Sequence, residues 1–275
     1  MSAQTKGLVV DEKNNPIPYV NIWVESENVG TTSAENGEFS INTTNDKVLV
    51  FSAVGFETRK STISASEKVV MQTAIYALDE ILIGNRKESK ELEIGGSKKT
   101  AYGHLSGALP WIFAKRFNYI EEYTGTPYIK NAIVFTKSKI RNAKFKLRIF
   151  KVNEDGFPGV DLLDEDVIVT VKSGSKKNVI DLTKYNLNLP KSGIFIAYEW
   201  MIIDENKYIF EYTTKESSVK RSFITYAPDV VCNKVQDENS FEYRGAKWIQ
   251  REKFLKRDES KKIVTEPAIN LTLTN

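Results

Sequence analysis

The chain has 275 residues, 41% hydrophobic and 11% aromatic, which is enough to fill one large or two ordinary cores and excludes a disordered chain. Its 39 basic and 36 acidic residues leave only +3, too small an excess to announce nucleic acid or an anionic membrane as a partner. One cysteine, Cys232, excludes an internal disulfide, and one histidine, His104, excludes zinc sites built on two histidines.

Taken in chain order, short alternating runs bounded by Gly, Pro, Asn and Asp stand where helical periodicity would be, and they predict an all-β chain. The first group is "KGLVVD", "PYVNIWVES", "GEFSINT", "KVLVFSAVGF", "ETRKSTI" and "KVVMQ". In "PYVNIWVE" the residues Val20, Ile22 and Val24 alternate with Tyr19, Asn21, Trp23 and Glu25, so the aliphatic face is the expected core and Trp23 is expected at an edge or an interface. The glycine-rich "NVGTTSAENGEFSI", residues 28–41, raises the question of a phosphate-gripping loop. That reading needs a glycine turn opening a helix that carries a lysine, and none follows. Asn36-Gly37 before the alternating "EFSI" reads instead as a tight turn.

Three stretches, "GLVVDEKNNPIPYVNI", "NVGTTSAENGEFSI" and "LVFSAVGFE", together resemble the carboxypeptidase-regulatory-like (transthyretin-like) repeat found in envelope proteins of Bacteroidetes-type bacteria, over about residues 5–83. The resemblance implies a seven-stranded sandwich without catalytic residues of its own, in a protein exported to the periplasm or cell surface. No basic start and apolar run precede the repeat, so the expectation is an export signal already trimmed ahead of "MSAQTKG"; a single cysteine fits the cytoplasm equally. The following "YALDEILIG" is similar to the segment that joins such repeats to a TonB-dependent receptor. At this chain length the expectation is that it supplies a last strand and not the start of a transporter.

Residues 85–99, "NRKESKELEIGGSKK", are polar and charged and read as a linker between domains 1–84 and 100–275. Charge divides the same way, residues 1–84 carrying 6 basic and 11 acidic groups, net −5, and the remainder 33 against 25, net +8. The second domain offers "YIKNAIVF", "AKFKLRIFKV", "DVIVTV", "KNVIDL", "GIFIAYEWMII", "KYIFEYT", "RSFITYA", "GAKWIQ" and "AINLTLT", which predict a larger jelly-roll-like β-sandwich. Its "EDGFPGVDLLDEDVIV", "IDLTKYNLNLPKSGIFIAYEW" and "AYGHLSGALPWIFAKRF" also resemble a poorly characterised domain that follows the repeat in the same bacterial proteins, and no activity comes with that likeness. The "IFIAYEWMII" run is far short of the roughly 20 residues of a spanning helix and holds Glu199, so no membrane span is expected.

Candidate sites are few. Asp155, Asp161, Asp164, Glu165 and Asp166 gather near Gly156, but EF-hand alignment puts Lys151 at the first ligand position and Leu162 at the last, so a solvated turn is preferred over calcium, and neither metal nor cofactor is expected. Glu199 shares a strand face with Phe195, Ala197, Met201 and Ile203, which demands either a basic partner on a neighbouring strand or a concave polar site. The opposite face, from Ile194 to Ile202, has the better claim to the core. His104 and Cys232 lack the neighbours of a nucleophilic triad and read as packed side chains. Lys137, Lys139, Arg141, Lys144, Lys146 and Arg148 read as the solvated side of a sheet, with an anionic ligand as the alternative.

The reading is a non-enzymatic envelope binding protein, its ligand a glycan stacked on Tyr102, Trp111 and Trp248 with Glu199 nearby. The alternatives are an interaction module docking to an envelope partner through the first sandwich and "ALDEILIG", and a hydrolase using Glu199 with a second carboxylate within about 5–10 Å.

Overall fold

The computed structural model describes residues 4–44, 46–62, 67–74, 86–100, 102–213, 219–236, 239–251, 254–255 and 262–275. The first seven strands are β1 (Gln4–Val10), β2 (Asn21–Val24), β3 (Gly30–Thr32), β4 (Glu38–Asn42), β5 (Val48–Ser52), β6 (Arg59–Thr62) and β7 (Glu67–Val70). They form two sheets, ordered β4-β1-β7 and β3-β2-β5-β6, the seven-stranded sandwich that the alternation and the resemblance predict. Val9, Val20, Ile22, Val24, Phe39, Ile41, Leu49 and Phe51 fill the space between them. Alternation is strict in β4, where Phe39 and Ile41 point inward and Glu38, Ser40 and Asn42 outward. The Asn36-Gly37 turn is as expected: Gly37 sits at φ +77°, and a Cβ there would lie 2.6 Å from the Val9 carbonyl oxygen.

The second part begins with β8 (Glu91–Ile94), β9 (Gly103–His104), β10 (Ile112–Phe117), β11 (Tyr128–Ser138), β12 (Ala143–Val152) and β13 (Pro158–Asp161). It continues with β14 (Val167–Val171), β15 (Gly174–Asp181), β16 (Ile194–Trp200), β17 (Lys207–Thr213) and β18 (Lys220–Tyr226). The last strands are β19 (Asp229–Val235), β20 (Ser240–Arg244), β21 (Lys247–Gln250), β22 (Phe254–Leu255), β23 (Lys262–Pro267) and β24 (Ile269–Thr274). One sheet runs β13-β12-β16-β10-β20-β21, with β14 also on β12, and the other runs β22-β23-β19-β11-β24-β8, with β15 on β11 and β9 on β19. Phe113, Phe145, Leu147, Ile194, Ile196, Tyr198 and Trp200 pack with Ile129, Val134, Ile269 and Leu271 to make the main core. The face of β16 that carries Ile194 to Trp200 is therefore the inner one, as its pattern predicts.

One expectation needs correcting. The supposed linker is largely part of the second sandwich, because Glu91–Ile94 pairs with Leu271–Thr274, and the Lys87 and Glu88 amides donate to the Asn275 carbonyl at 2.9 and 2.8 Å. Its charge is that of an edge strand with only Ile94 turned inward. Of the two places expected for Trp23 the structure takes the interface and not the edge: β2 is interior to its sheet, and the indole is fully buried on the face that carries Asn21 and meets the second sandwich. The segment 77–84 lies outside the described residues, and so does most of 252–261, expected as a loop or short helix.

Candidate functional site

Every residue of β16 is buried, so its outer face is covered as well as its inner one. The cover over its C-terminal end is the first sandwich. On the outer face, β12 presents Lys146 directly opposite Glu199 and Arg148 opposite Ala197, which sets three charged groups side by side. The Arg148 Nη1 donates to Glu199 Oε2 at 2.7 Å and its Nε donates to Asp161. Asn21 of the first sandwich completes the network, donating through Nδ2 to Glu199 Oε1 at 3.0 Å and to the Pro110 carbonyl at 2.8 Å. Lys146, with no exposed surface, donates to the Tyr19 carbonyl at 2.6 Å and pairs with Asp166 at 3.0 Å. The Ile202 amide donates to Thr32 Oγ1 at 2.9 Å, and Tyr19, Met201 and Ile203 form the apolar part of the junction.

Taking an arginine, a lysine and two carboxylates out of water is expensive unless each finds partners, and here each does. Burial opposes the Arg148 charge, but Asp161 and Glu199 outweigh it and hold the guanidinium pKa above its ordinary value. Burial raises Asp161 above the usual carboxylate range, against the pull of Arg148 and the Leu163 amide. Close approach is also built into the backbone: a Cβ on Gly30 would lie 2.8 Å from Pro110 Cδ, and one on Gly55 3.0 Å from the Asp164 carbonyl oxygen.

Beside this seam opens a cleft of about 1340 Å³. One wall is the outer face of the first sandwich, where Gln4, Lys6 and Leu8 of β1 pair with Asn42, Ser40 and Glu38 of β4. The other is the segment from Ile202 to Glu205 with Lys207 and Tyr226, the first residue pair of the β17–β18 hairpin. A smaller cleft of about 470 Å³ lies around Gly95, Lys98, Asn118 and Asn233, with Lys115 within it. The Lys115 ammonium is satisfied internally by the Gly95 carbonyl, Ser97 Oγ and Glu266 Oε1 at 2.7, 2.9 and 2.7 Å, and burial lowers its pKa.

Residues 5–85 match the family model of the CarboxypepD_reg-like domain. The N-terminal sandwich is a CarboxypepD_reg-like domain. A relative is the TonB-dependent receptor SusC of Bacteroides thetaiotaomicron, 24% identical over 92 residues, which is 34% of this chain. The chain spans only 9% of the length of that receptor. Among solved structures, the Streptococcal ancillary pilin matches at 12% identity over 81% of this chain and 58% of that one, with a TM-score of 0.22. BcpA, the major pilin subunit of Bacillus cereus, matches at 9% identity over 98% and 95%, with a TM-score of 0.18. Scores this low carry no argument. Among the described residues no helix is long and apolar enough to cross a membrane.

Outside the CarboxypepD_reg-like domain, the residues expected to bind a ligand are not brought together. Trp111 packs toward the inner core beside Phe113, Trp248 packs on the outer face against Phe150 and Tyr243, and Tyr102 stands 45% exposed on the opposite sheet. Glu199 is fully buried, its oxygens taken by Arg148 and Asn21. A second carboxylate does stand near it, but Asp161 is reached through the shared Arg148, and no open space separates the two for a substrate. The acidic loop is also committed, Asp161 to Arg148, Asp166 to Lys146 and Glu165 to Lys184. Among the described residues no three His, Cys, Asp or Glu side chains are grouped to hold a metal.

The basic run departs most from expectation. Lys137, Lys139 and Arg141 are exposed, whereas Lys146 and Arg148 are among the most deeply buried charges in the protein, because the face they occupy meets the CarboxypepD_reg-like domain. His104 packs on Phe113 with ring centroids 4.6 Å apart; burial pushes its pKa down to about 4, the Leu105 carbonyl opposes this, and Arg251 adds to it. The Cys232 thiol is buried and pushed up to about 12 by that burial, so it is no nucleophile at neutral pH. Sequence reasoning missed Asn21 and Tyr19 as junction residues; the one signal for them was the polar face of "YVNIW" opposite an aliphatic core.

Proposed function

We propose that this is a non-enzymatic, envelope-associated binding protein in which the two sandwiches act as one rigid body and present the cleft between them to a ligand. The observation that carries the reading is the buried bridge Asn21–Glu199–Arg148, which removes the best catalytic carboxylate from solvent and fixes one domain on the other. Clefts at domain junctions are preferred ligand sites, and a fixed junction spares the ligand the cost of ordering them. The likeness to part of a TonB-dependent receptor of Bacteroides thetaiotaomicron supports an envelope setting in a Bacteroidetes-type bacterium.

Glycan and peptide arrays probed with the intact chain test the reading. Thr31→Trp, which places an indole in the cleft, should abolish whatever signal the wild type gives, while Tyr102→Ala/Trp111→Ala/Trp248→Ala should leave it. Loss in the triple variant with retention in Thr31→Trp, each folded by circular dichroism, would move the site to the aromatics of the second sandwich.

A further inference from the structure

The cleft is bounded by an open sheet edge. In the order β4-β1-β7, β4 has β1 on one side, and among the described residues no strand pairs with the other; there the Glu38 amide and carbonyl are already taken by Asn36 Oδ1 at 3.1 Å and the Ala34 amide at 2.7 Å, so Ser40 and Asn42 carry the open part of the edge. All five residues from Glu38 to Asn42 line the cleft, although Phe39 and Ile41 turn their side chains into the core. Side chains of only one parity can face a given side of a strand, so β4 meets the cleft with its backbone edge as well as with Glu38, Ser40 and Asn42.

The far wall has the matching character. The hairpin face that starts in the cleft with the pair Lys207 and Tyr226 continues with the pair Ile209 and Ile224, which are 65% and 49% exposed. Directly paired residues share a face, so an exposed apolar pair stands just outside the cleft mouth, between Lys207 and Tyr226 on one side and Glu211 and Ser222 on the other. Charge selects further: Glu35, Glu38, Asp204 and Glu205 line the cleft against Lys6 and Lys207, an acidic excess of two that the Lys144–Glu205 pair at 3.9 Å reduces to one. The Tyr19 phenol registers the same field, its pKa raised first by burial and then by Glu35, Glu205 and Asp166.

We propose that the cleft takes an extended polypeptide segment of a partner protein, added as a strand to the free edge of β4, with basic side chains toward the acidic wall and apolar ones toward Ile209 and Ile224. Main-chain hydrogen bonds to β4 supply affinity that is indifferent to sequence, and alternation of basic and apolar residues supplies the selection. The proposal rests on the cleft being the binding site and names what fills it.

The test uses the full chain and a capped hexapeptide of alternating valine and lysine as the probe. Saturable binding is expected, with amide-exchange protection gained at Ser40 and Asn42, whose amides face away from β1. N-methylation of alternate peptide nitrogens should weaken binding at least about tenfold in one register and leave it in the other, since only one peptide edge meets β4. Replacing lysine by glutamate should abolish binding, and Ile209→Ser/Ile224→Ser should weaken it about fivefold. Equal affinity of both N-methylated peptides, protection elsewhere than at Ser40 and Asn42, or no binding overturns the inference. Concentration-dependent self-association that protects β4 also overturns it, in favour of a second copy as occupant. Binding of a neutral oligosaccharide that Thr31→Trp abolishes, with no peptide binding, would leave the cleft as the site and remove the strand.

Discussion

The strands β12 and β16 bury charge, whereas the neighbouring hairpin β17–β18 exposes hydrocarbon. Lys146, Arg148 and Glu199 are sealed under the first sandwich, while Ile209, Ile224, Phe223 and Tyr212 stand in solvent on two strands that belong to no larger sheet. Both break the rule of apolar inside and polar outside, in opposite senses. At the seam the break is compensated by hydrogen bonds within the second sandwich, Arg148 to Asp161 and Glu199, and by those that Asn21 and the Tyr19 carbonyl supply across the junction. At the hairpin the compensation among the described residues is slight, the mutual packing of Phe210, Tyr212 and Phe223 and the Lys139 ammonium over Phe210, and two strands alone are marginal in water. The first pattern is that of a finished interface, the second that of an unfinished one.

The sharpest way to break the comparison is to unpair the seam. Arg148→Met leaves Asp161 and Glu199 buried without their cation and should cost about 3–5 kcal/mol, read as a lower urea midpoint. Arg148→Met/Glu199→Leu should recover part of that loss, because an apolar pair replaces an orphaned charge. If the single variant unfolds like the wild type, the seam carries no energy.

The root of the hairpin gives the next effect. Asp229 lies beside Tyr208 at the base of β17; burial pushes its pKa up to about 7, while the Tyr208 hydroxyl and then Lys137 and Lys139 pull it back. An unfolded aspartate releases its proton near 4, so between about pH 4 and 7 the folded state holds a proton that the unfolded state has lost, and stability falls as pH rises through that window. Asp229→Asn should therefore stabilise the protein at pH 8 by up to about 4 kcal/mol and have little effect at pH 4. Unfolding curves at the two pH values give the difference directly. Gly30→Ala comes third, at about 1–3 kcal/mol, because the new methyl meets the Pro110 ring across the junction. The smallest effect belongs to Ile209→Ser/Ile224→Ser, within about 0.5 kcal/mol on thermal unfolding, since exposed side chains contribute little to a fold that does not cover them.

Much of this architecture was legible in the residues. The alternation of "AKFKLRIFKV" marks β12 to the residue, and the aliphatic face of "PYVNIWVE" is the core of the first sandwich. Glu199 called for a basic partner on a neighbouring strand or a concave polar site, and Arg148 supplies the first. What alternation cannot report is whether a second face meets water or another domain, so Lys146 and Arg148 read as solvated although they are sealed in. For the same reason "ELEI" read as linker: an edge strand with one inward residue has the composition of a loop. The cleft was not legible at all, because its walls come from strands about 160 residues apart in the chain, brought together only by the seam.

The most direct measurement is the distance distribution between spin labels on Glu57→Cys and Lys172→Cys, two exposed positions on the two sandwiches, with the buried Cys232 replaced by alanine. A junction held by Asn21, Glu199 and Arg148 predicts a single narrow separation that broadens in Arg148→Met. A broad separation already present with the bridge intact would contradict it.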